Sequence, residues 1–256
     1  MTTDVLLLDA DYYGTLAAAR CLGRHGMTVT VADPRKGGRA TYSRHVTSTA
    51  TCPPLSMPHA LVDWLVRWGE AHPGTLLYPS SDHLAWLLAA YRERLAAVFV
   101  MYTPTEDAVM TLLDKQRLHD ACTHPDVGIE VPATGAVHDA TEDAAPVTDV
   151  RYPLILKPRT QVMLASGVKG IRVKDQAALP AALAQFRRLV RYSPTLTDLY
   201  PGVVEPMAQE YLTAAETSIV SVSGFVDQDG AVVARASMKV LQRPRTMGIG
   251  LCFEGR

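Results

Sequence analysis

Paired cysteines, runs of basic charge and long uninterrupted apolar stretches are all missing from this chain of 256 residues. Cys21, Cys52, Cys122 and Cys252 lie far apart and form no CxxC, which argues against a zinc site or a disulfide framework and for a reducing compartment. A net charge of −1 and 20% charged residues give no electrostatic bias, and no cluster of Lys and Arg is long enough to track phosphates. Nucleic acid is therefore not an expected partner. The most apolar later stretch, Leu84 to Tyr102, is broken by Arg92, Glu93 and Arg94, so no membrane span is expected. The opening MTTDVLLLDADYYG has no basic leader and no small-residue cleavage site, and it reads as a first strand rather than a signal peptide. A soluble cytoplasmic protein is the expectation. Lysine is scarce too, six of the twenty-five basic residues, so each one in a telling place stands out.

What is present reads as one large domain or two ordinary ones. Residues 4–33 give strand VLLLD, turn DADYYG, helix GTLAAARCLGRHG and strand MTVTVAD, a complete βαβ unit. Leu16, Ala19 and Leu22 mark the inner side of that helix, and Gly26 is placed to end it. The alternation continues with a helix through Leu61, Trp64, Leu65 and Trp68, strand TLLYP, a helix carrying Leu84, Leu87, Leu88, Tyr91 and Leu95, and strand VFVMY. Residues 1–112 are thus expected to form a Rossmann-like α/β domain. Character changes after Pro104. Two short helices, about 105–112 and 114–123, lead to an acidic loop, DATEDAAPVTD, then strand YPLILKP, the small-residue loop RTQVMLASGVKG and strand GIRVKD. A helix then runs to about Tyr192 with Leu183, Phe186 and Val190 inward, its start left ambiguous by Pro180. Three strand-like runs follow, VVEPMAQEYL, TSIVSVSGFVDQ and AVVARASMKVLQR, the last two joined by the hairpin signal Asp229-Gly230.

Several residues invite a chemical reading. The turn DADYYG stands where a dinucleotide-binding protein has GxGxxG, with Asp33 at the ribose-binding position, but only Gly14 is present and Asp11, Tyr12 and Tyr13 would obstruct an anion. A scaffold role suits it better than NAD or FAD. PSSDH, residues 79–83, cannot converge into a triad from one turn; Ser80, Ser81 or Asp82 is expected to cap the next helix, at an edge where α/β sheets also bind ligands. His119 and His124, five apart, read as surface histidines. Lys157 is more informative: it follows an apolar run, and a buried ammonium needs a negative partner such as phosphate. Beside it, MLASGVKG with Gly167 and Gly170 offers a mobile loop with exposed amides. Glu205, Gln209, Glu210 and Glu216 are unusual among strand-like runs. Solvated edge acids are one reading; the other has Glu210 to Leu212 offering backbone groups to an adenine edge and Glu216 accepting ribose hydroxyls.

In this order, Asp114-Lys115, LILKP, LASGVKG, AQEYL and Glu216 resemble the ATP-grasp superfamily, with closest similarity to its carboxylate-amine ligase branch, the D-aspartate ligase and carbamoyl phosphate synthetase relatives. PSSDH, DKQRLHDAC before GIEVPATG, and RASMKVLQRPRTMGIG are similar to segments of that branch. The resemblance implies an ATP-grasp α+β fold over residues 113–256, with a small lid at about 127–207. It implies that Lys115 and Lys157 contact ATP phosphates and that the 163–170 loop, with Ser166, Gly167 and Lys169, closes over them. Gln209, Glu210, Tyr211 and Leu212 would hold the base and Glu216 the ribose, while Lys239 would face the terminal phosphate and Arg243 the acyl substrate. ATP would phosphorylate a small carboxylate, and an amine would then attack the acyl phosphate.

The resemblance also implies Mg2+, held in the family by an acid and a Glu-x-Asn-x-Arg motif beyond the equivalent of GLCFEGR. That motif is not in this sequence, so the ATP-grasp fold is expected to be incomplete, cut short at its C-terminus, and no metal ligand is assigned. Impaired transfer and self-association through an exposed sheet edge are the corresponding expectations. The alternatives are a nucleotide-binding or regulatory remnant without catalysis and, less favoured, a Rossmann NAD or FAD protein.

Overall fold

The computed structural model describes residues 3–135, 137, 147, 149–227, 229–243 and 249–255. They group into two compact units, one of Met1–Val127 with Thr160–Ala165 and Tyr192–Val203, the other of Gly128–Arg159, Ser166–Arg191 and Val204–Arg256.

The first unit is a parallel sheet between helices. Its elements are β1 (Asp4–Leu8), α1 (Tyr13–Arg24), β2 (Thr28–Asp33), β3 (Ser48–Thr51), α2 (Pro58–Ala71), β4 (Leu76–Tyr78), α3 (Asp82–Ala90), α4 (Arg92–Ala96), α5 (Glu106–Leu113) and α6 (Lys115–Thr123). The strand order is β3-β2-β1-β4, with every pair parallel. The continuous apolar run of β1 is what a strand covered on both faces requires. Alternation along it sends Val5 and Leu7 into a cluster with Val29, Val31 and Ala19 of α1. Leu6 and Leu8 join the opposite cluster, with Leu61, Leu65, Leu84 and Leu87 of α2 and α3. Val162, Leu196 and Val203 complete that second cluster, so the short segment 160–165 and the helix Pro194–Leu199 are anchored by core packing.

The βαβ start follows the sequence reading, and Gly26, at φ +83°, ends α1 as expected. Three features depart from it. Polar β3 was not foreseen, because Ser-Thr-Ala-Thr has no apolar alternation and forms an exposed edge. VFVMY contributes only one bridge, Leu76 to Val100, rather than a full strand. The single helix expected from Leu84 to Leu95 breaks at Tyr91, whose backbone leaves the helical region while its hydroxyl meets His59 Nδ1 at 3.2 Å.

The second unit is antiparallel. β5 (Thr134–Gly135), β6 (Leu154–Lys157), β7 (Ile171–Val173) and β8 (Met207–Glu210) pair in the order β5-β8-β6-β7. Helix α7 (Leu179–Leu189) buries Leu179, Ala182, Leu183 and Phe186, spaced at three and four residues, and takes Pro180 in its first turn. A separate sheet, β11-β10-β9, is built from β9 (Val220–Val226), β10 (Val232–Arg243) and β11 (Ile249–Gly255). The β9–β10 hairpin closes where Asp229-Gly230 predicted it. There the Asp227 carboxylate accepts the Asp229 and Ala231 N–H groups, and Gly230 sits at φ +80°. Strand β11 was not anticipated. Nor were the exposed apolar side chains of this sheet, with Val222 at 69% and Phe225 at 60%. Most of the acidic stretch 139–149 lies outside the described residues. No helix among the described residues is long and apolar enough to cross a membrane.

The start of α1 lies tightly against the turn after β4: a Cβ added at Gly14 would stand 2.2 Å from the Ser80 carbonyl oxygen. Gly14→Ala should therefore cost about 1–3 kcal/mol of stability by overpacking. Gly26→Ala, in open space at positive φ, should cost about 1–2 kcal/mol through backbone strain alone. Urea unfolding of both variants checks this, and a neutral Gly14→Ala would contradict the packing described.

Candidate functional site

Strand β6 is buried through Leu154, Ile155 and Leu156 and delivers Lys157, half-buried, at its end. Burial lowers the Lys157 pKa from its ordinary value. Register pairs Ile155 with Gln209 and Lys157 with Met207, making Lys157 and Gln209 diagonal neighbours across β6 and β8. The Lys157 ammonium donates to Gln209 Oε1 at 2.6 Å, and Gln209 Nε2 donates to Thr134 Oγ1 on β5 at 3.4 Å. A neutral amide oxygen solvates the ammonium without cancelling its charge. The position therefore retains its attraction for an anion.

Beyond Gln209 the chain stays in the sheet longer than the sequence suggested. The Glu210 N–H donates to the Ala133 carbonyl at 2.8 Å and the Tyr211 N–H to the Pro153 carbonyl at 3.2 Å. Of the three amides expected to face a base edge, two are thus engaged by the fold. Leu212, 45% exposed, keeps its amide outside these bonds.

Glu216 does not lie in a strand. It closes a 3-10 turn, Thr213–Glu216, before the exposed strand β9. Its Oε1 accepts the Tyr211 hydroxyl at 2.7 Å and lies 3.8 Å from a guanidinium nitrogen of Arg172 on β7. The Arg172 guanidinium also stacks over the Tyr211 ring, 4.3 Å from its centroid. The bond to Glu216 raises the Tyr211 pKa. Sequence reasoning missed Arg172. The signal was the alternation of GIRVKD, in which Ile171 and the buried Val173 flank an outward Arg172.

The glycine-bearing loop divides into two parts. Its first part is not mobile: the Met163 N–H donates to His83 Nδ1 at 3.0 Å, the Met163 carbonyl accepts the Ser193 N–H at 3.2 Å, and Leu164 bridges to Tyr192. These residues belong to the first unit, whose core holds Val162. In the remainder, Ser166 Oγ is buried with no partner among the described residues, Lys169 is exposed, and Gly167 stands in open space. Gly170 has a steric reason, since a Cβ there would lie 2.6 Å from Ile155 Cδ1.

The other expected site residues are placed as follows. Lys115 opens α6 in the first unit, next to buried Asp114, which caps the helix through the Gln116 N–H. Lys239 lies on β10 opposite Phe253 and donates its N–H to the Ile219 carbonyl. Arg243 ends β10 opposite Ile249, its side chain outside the described residues. Among the described residues no three His, Cys, Asp or Glu side chains gather to hold a metal ion. Glu254 on β11 faces Met238, so it lacks the oxygen-rich shell that magnesium requires. The described donors do not fit a magnesium site.

The rival readings meet structural explanations. Asp33 is 4% exposed, and its two oxygens accept the Ala10 and Arg35 N–H groups, both at 2.8 Å, which gives the buried carboxylate a structural role in the turn. Asp11 holds the Arg39 N–H and the Arg35 guanidinium, filling the turn where a pyrophosphate would need room. In PSSDH, Ser81 caps α3, Ser80 bonds Thr15 Oγ1 at 2.7 Å, and His83 holds Met163.

No protein-family model matches the chain, and no curated protein matches it. Solved structures do. L-amino acid ligase from Bacillus licheniformis superposes with TM-score 0.64 at 12% identity, over 96% of this chain and 52% of that one. N5-carboxyaminoimidazole synthetase from Staphylococcus aureus, complexed with ADP, gives 0.64 at 14%, over 94% and 56%. The biotin carboxylase domain dimer of Hydrogenobacter thermophilus 2-oxoglutarate carboxylase, with MgADP, ADP and bicarbonate, gives 0.67 at 15%, over 97% and 52%. These neighbours share the ATP-grasp fold, and at 12–15% identity the likeness shows that fold alone for this chain. The chain spans about half the length of these structures.

Lys157 carries a stability cost that can be read directly. Its folded pKa lies below the ordinary 10.5. Between those two values the unfolded state binds more protons, so its contribution to stability rises with pH across that window. Lys157→Met should raise the urea midpoint at pH 7 and flatten the rise toward pH 10. A destabilised variant would contradict an uncompensated, half-buried ammonium.

Proposed function

We propose that this chain binds ATP through its second unit and serves an ATP-dependent ligation of a carboxylate to an amine. The observation that carries the reading is Lys157, a half-buried ammonium whose hydrogen-bond partner is the neutral Gln209 amide, beside a strand that runs directly into the Leu212 amide and Glu216. In this reading the phosphates meet Lys157, Lys169 and the Ser166 hydroxyl, which has no partner among the described residues. The adenine edge meets the Leu212 amide rather than those of Glu210 and Tyr211. The ribose hydroxyls displace the Tyr211 phenol from Glu216, with Arg172 holding the carboxylate in place.

Lys239 is assigned to the terminal phosphate and Arg243 to the carboxylate substrate. A carboxylate oxygen attacks the terminal phosphorus with ADP as leaving group. The amine nitrogen then attacks the acyl carbon, the C–O bond to phosphate breaks, and the amine loses a proton. The chain's residues contribute charge neutralisation and alignment. The described carboxylates do not gather into a magnesium site. Two structural neighbours were solved with ADP, which supports nucleotide binding as the reading.

Saturating ATP, at about a hundredfold its Kd, should stabilise the chain by about 2.7 kcal/mol. Lys157→Ala should abolish that gain, and Glu216→Gln should reduce affinity by roughly tenfold, the loss of one charge-assisted hydrogen bond. Thermal melts with and without ATP measure both. Identical melts for wild type and Lys157→Ala at saturating ATP would refute the assignment. ADP release dependent on a carboxylate and an amine would establish ligation, whereas binding without release under every pair tried would leave a nucleotide-binding protein only.

A further inference from the structure

A cavity lies wholly within the first unit, away from every residue assigned to the nucleotide above. It has a volume of about 460 Å³ and is formed by the turn after β2, the 3-10 turn Arg39–Tyr42 and the edge strand β3. Lining it are Arg35, Lys36, Thr41, Tyr42, Thr49 and Thr51. It opens at the carboxyl ends of parallel strands, where sheets of this kind bind ligands.

Its chemistry is specific. Lys36 makes no ion pair or hydrogen bond among the described residues, so its ammonium stands uncommitted. Thr49 and Thr51, two apart and therefore on one face of β3, and Tyr42, 79% exposed, likewise have hydroxyls without partners among the described residues. Thr41 donates to the Gly38 carbonyl at 2.6 Å and keeps its lone pairs. Gly37 at φ +89° lets the turn pass close under the Tyr42 hydroxyl, which would lie 2.9 Å from an added Cβ. Asp33 also borders the cavity, but it is 4% exposed and its oxygens hold two N–H groups, with Arg35 Nε 4.0 Å away. Arg35 pairs with Asp11 at 2.7 Å, and Arg39 lies 3.9 Å from the same carboxylate. Counting Asp9, which interacts electrostatically with Asp33, Asp11 and Arg35, three cations meet three carboxylates, so the attraction for an anion rests on the uncommitted Lys36 ammonium and not on a net local charge.

We propose that this cavity binds a small phosphorylated polyol, its phosphate on Lys36 and Arg35 and its hydroxyls on Thr49, Thr51 and Tyr42. A bare phosphate would leave most of the volume unfilled, since ligand cavities of about 300–1,000 Å³ suit molecules well beyond a single ion. A nucleoside would want the Asp33 carboxylate, which the backbone already occupies. A polyol phosphate uses both the free ammonium and the row of hydroxyls, each of which can donate or accept.

The test titrates the full chain with glucose 6-phosphate, glucose and inorganic phosphate at low ionic strength, followed by calorimetry. Wild type is compared with Lys36→Glu and Thr49→Val, exposed substitutions whose melting temperatures should match wild type. Saturable binding of glucose 6-phosphate, weakened at least tenfold by Lys36→Glu and severalfold by Thr49→Val, is the expected result. Binding of inorganic phosphate or of glucose as tight as that of glucose 6-phosphate would overturn the proposal. So would indifference to Lys36→Glu, or no saturable binding at millimolar concentrations. ATP binding through Lys157 is measured separately on the same variants, so failure of one site is not mistaken for failure of the other.

Discussion

The contact on which the account depends is the bond between the Lys157 ammonium and the Gln209 side-chain amide. It places a charge at the end of a buried strand and gives it a partner that cannot neutralise it. Folding alone would favour an apolar residue there, as with Leu154, Ile155 and Leu156 before it. The arrangement makes sense when part of the site's electrostatic balance is left to an incoming anion. Cross-strand register makes this possible, because pairing Ile155 with Gln209 brings the diagonal residue Lys157 within reach.

The same economy governs the neighbouring groups. Glu216 is not idle without ligand: the Tyr211 hydroxyl and Arg172 hold it, and Arg172 stacks on the Tyr211 ring. A phenol hydroxyl is a fair stand-in for a sugar hydroxyl, so under the proposed reading exchange at Glu216 would replace one O–H donor by another. The amides of Glu210 and Tyr211 belong to the sheet, and the Leu212 amide is where the chain leaves it. Strand ends, more than side-chain identity, decide which backbone groups remain for recognition.

Much of the fold was legible in the sequence because its signals are local. Apolar runs in β1 and β2, three-and-four spacing in α2 and α7, and Asp229-Gly230 each specify an element without help from distant residues. β3 escaped notice because Ser48, Thr49 and Thr51 are polar and gain their strand geometry only by pairing with β2. The anchoring of Met163 was equally hidden, since it rests on His83, eighty residues earlier in the chain. Within the candidate site, Lys157 was readable as a rare charge at the end of an apolar run. Arg172 was not, because its meaning comes from the register of β7 beside β6 and from a ring and a carboxylate on other segments.

The central claim is most directly tested by residue-resolved amide hydrogen exchange with and without ATP. The account predicts that ATP protects the Leu212 amide and perturbs Lys157, residues 166–170 and Glu216, while the Glu210 and Tyr211 amides, already bonded within the sheet, change little. Perturbation confined to the turn Asp9–Gly14 and to Asp33, with residues 209–216 unaffected, would contradict it and place the nucleotide in the first unit instead.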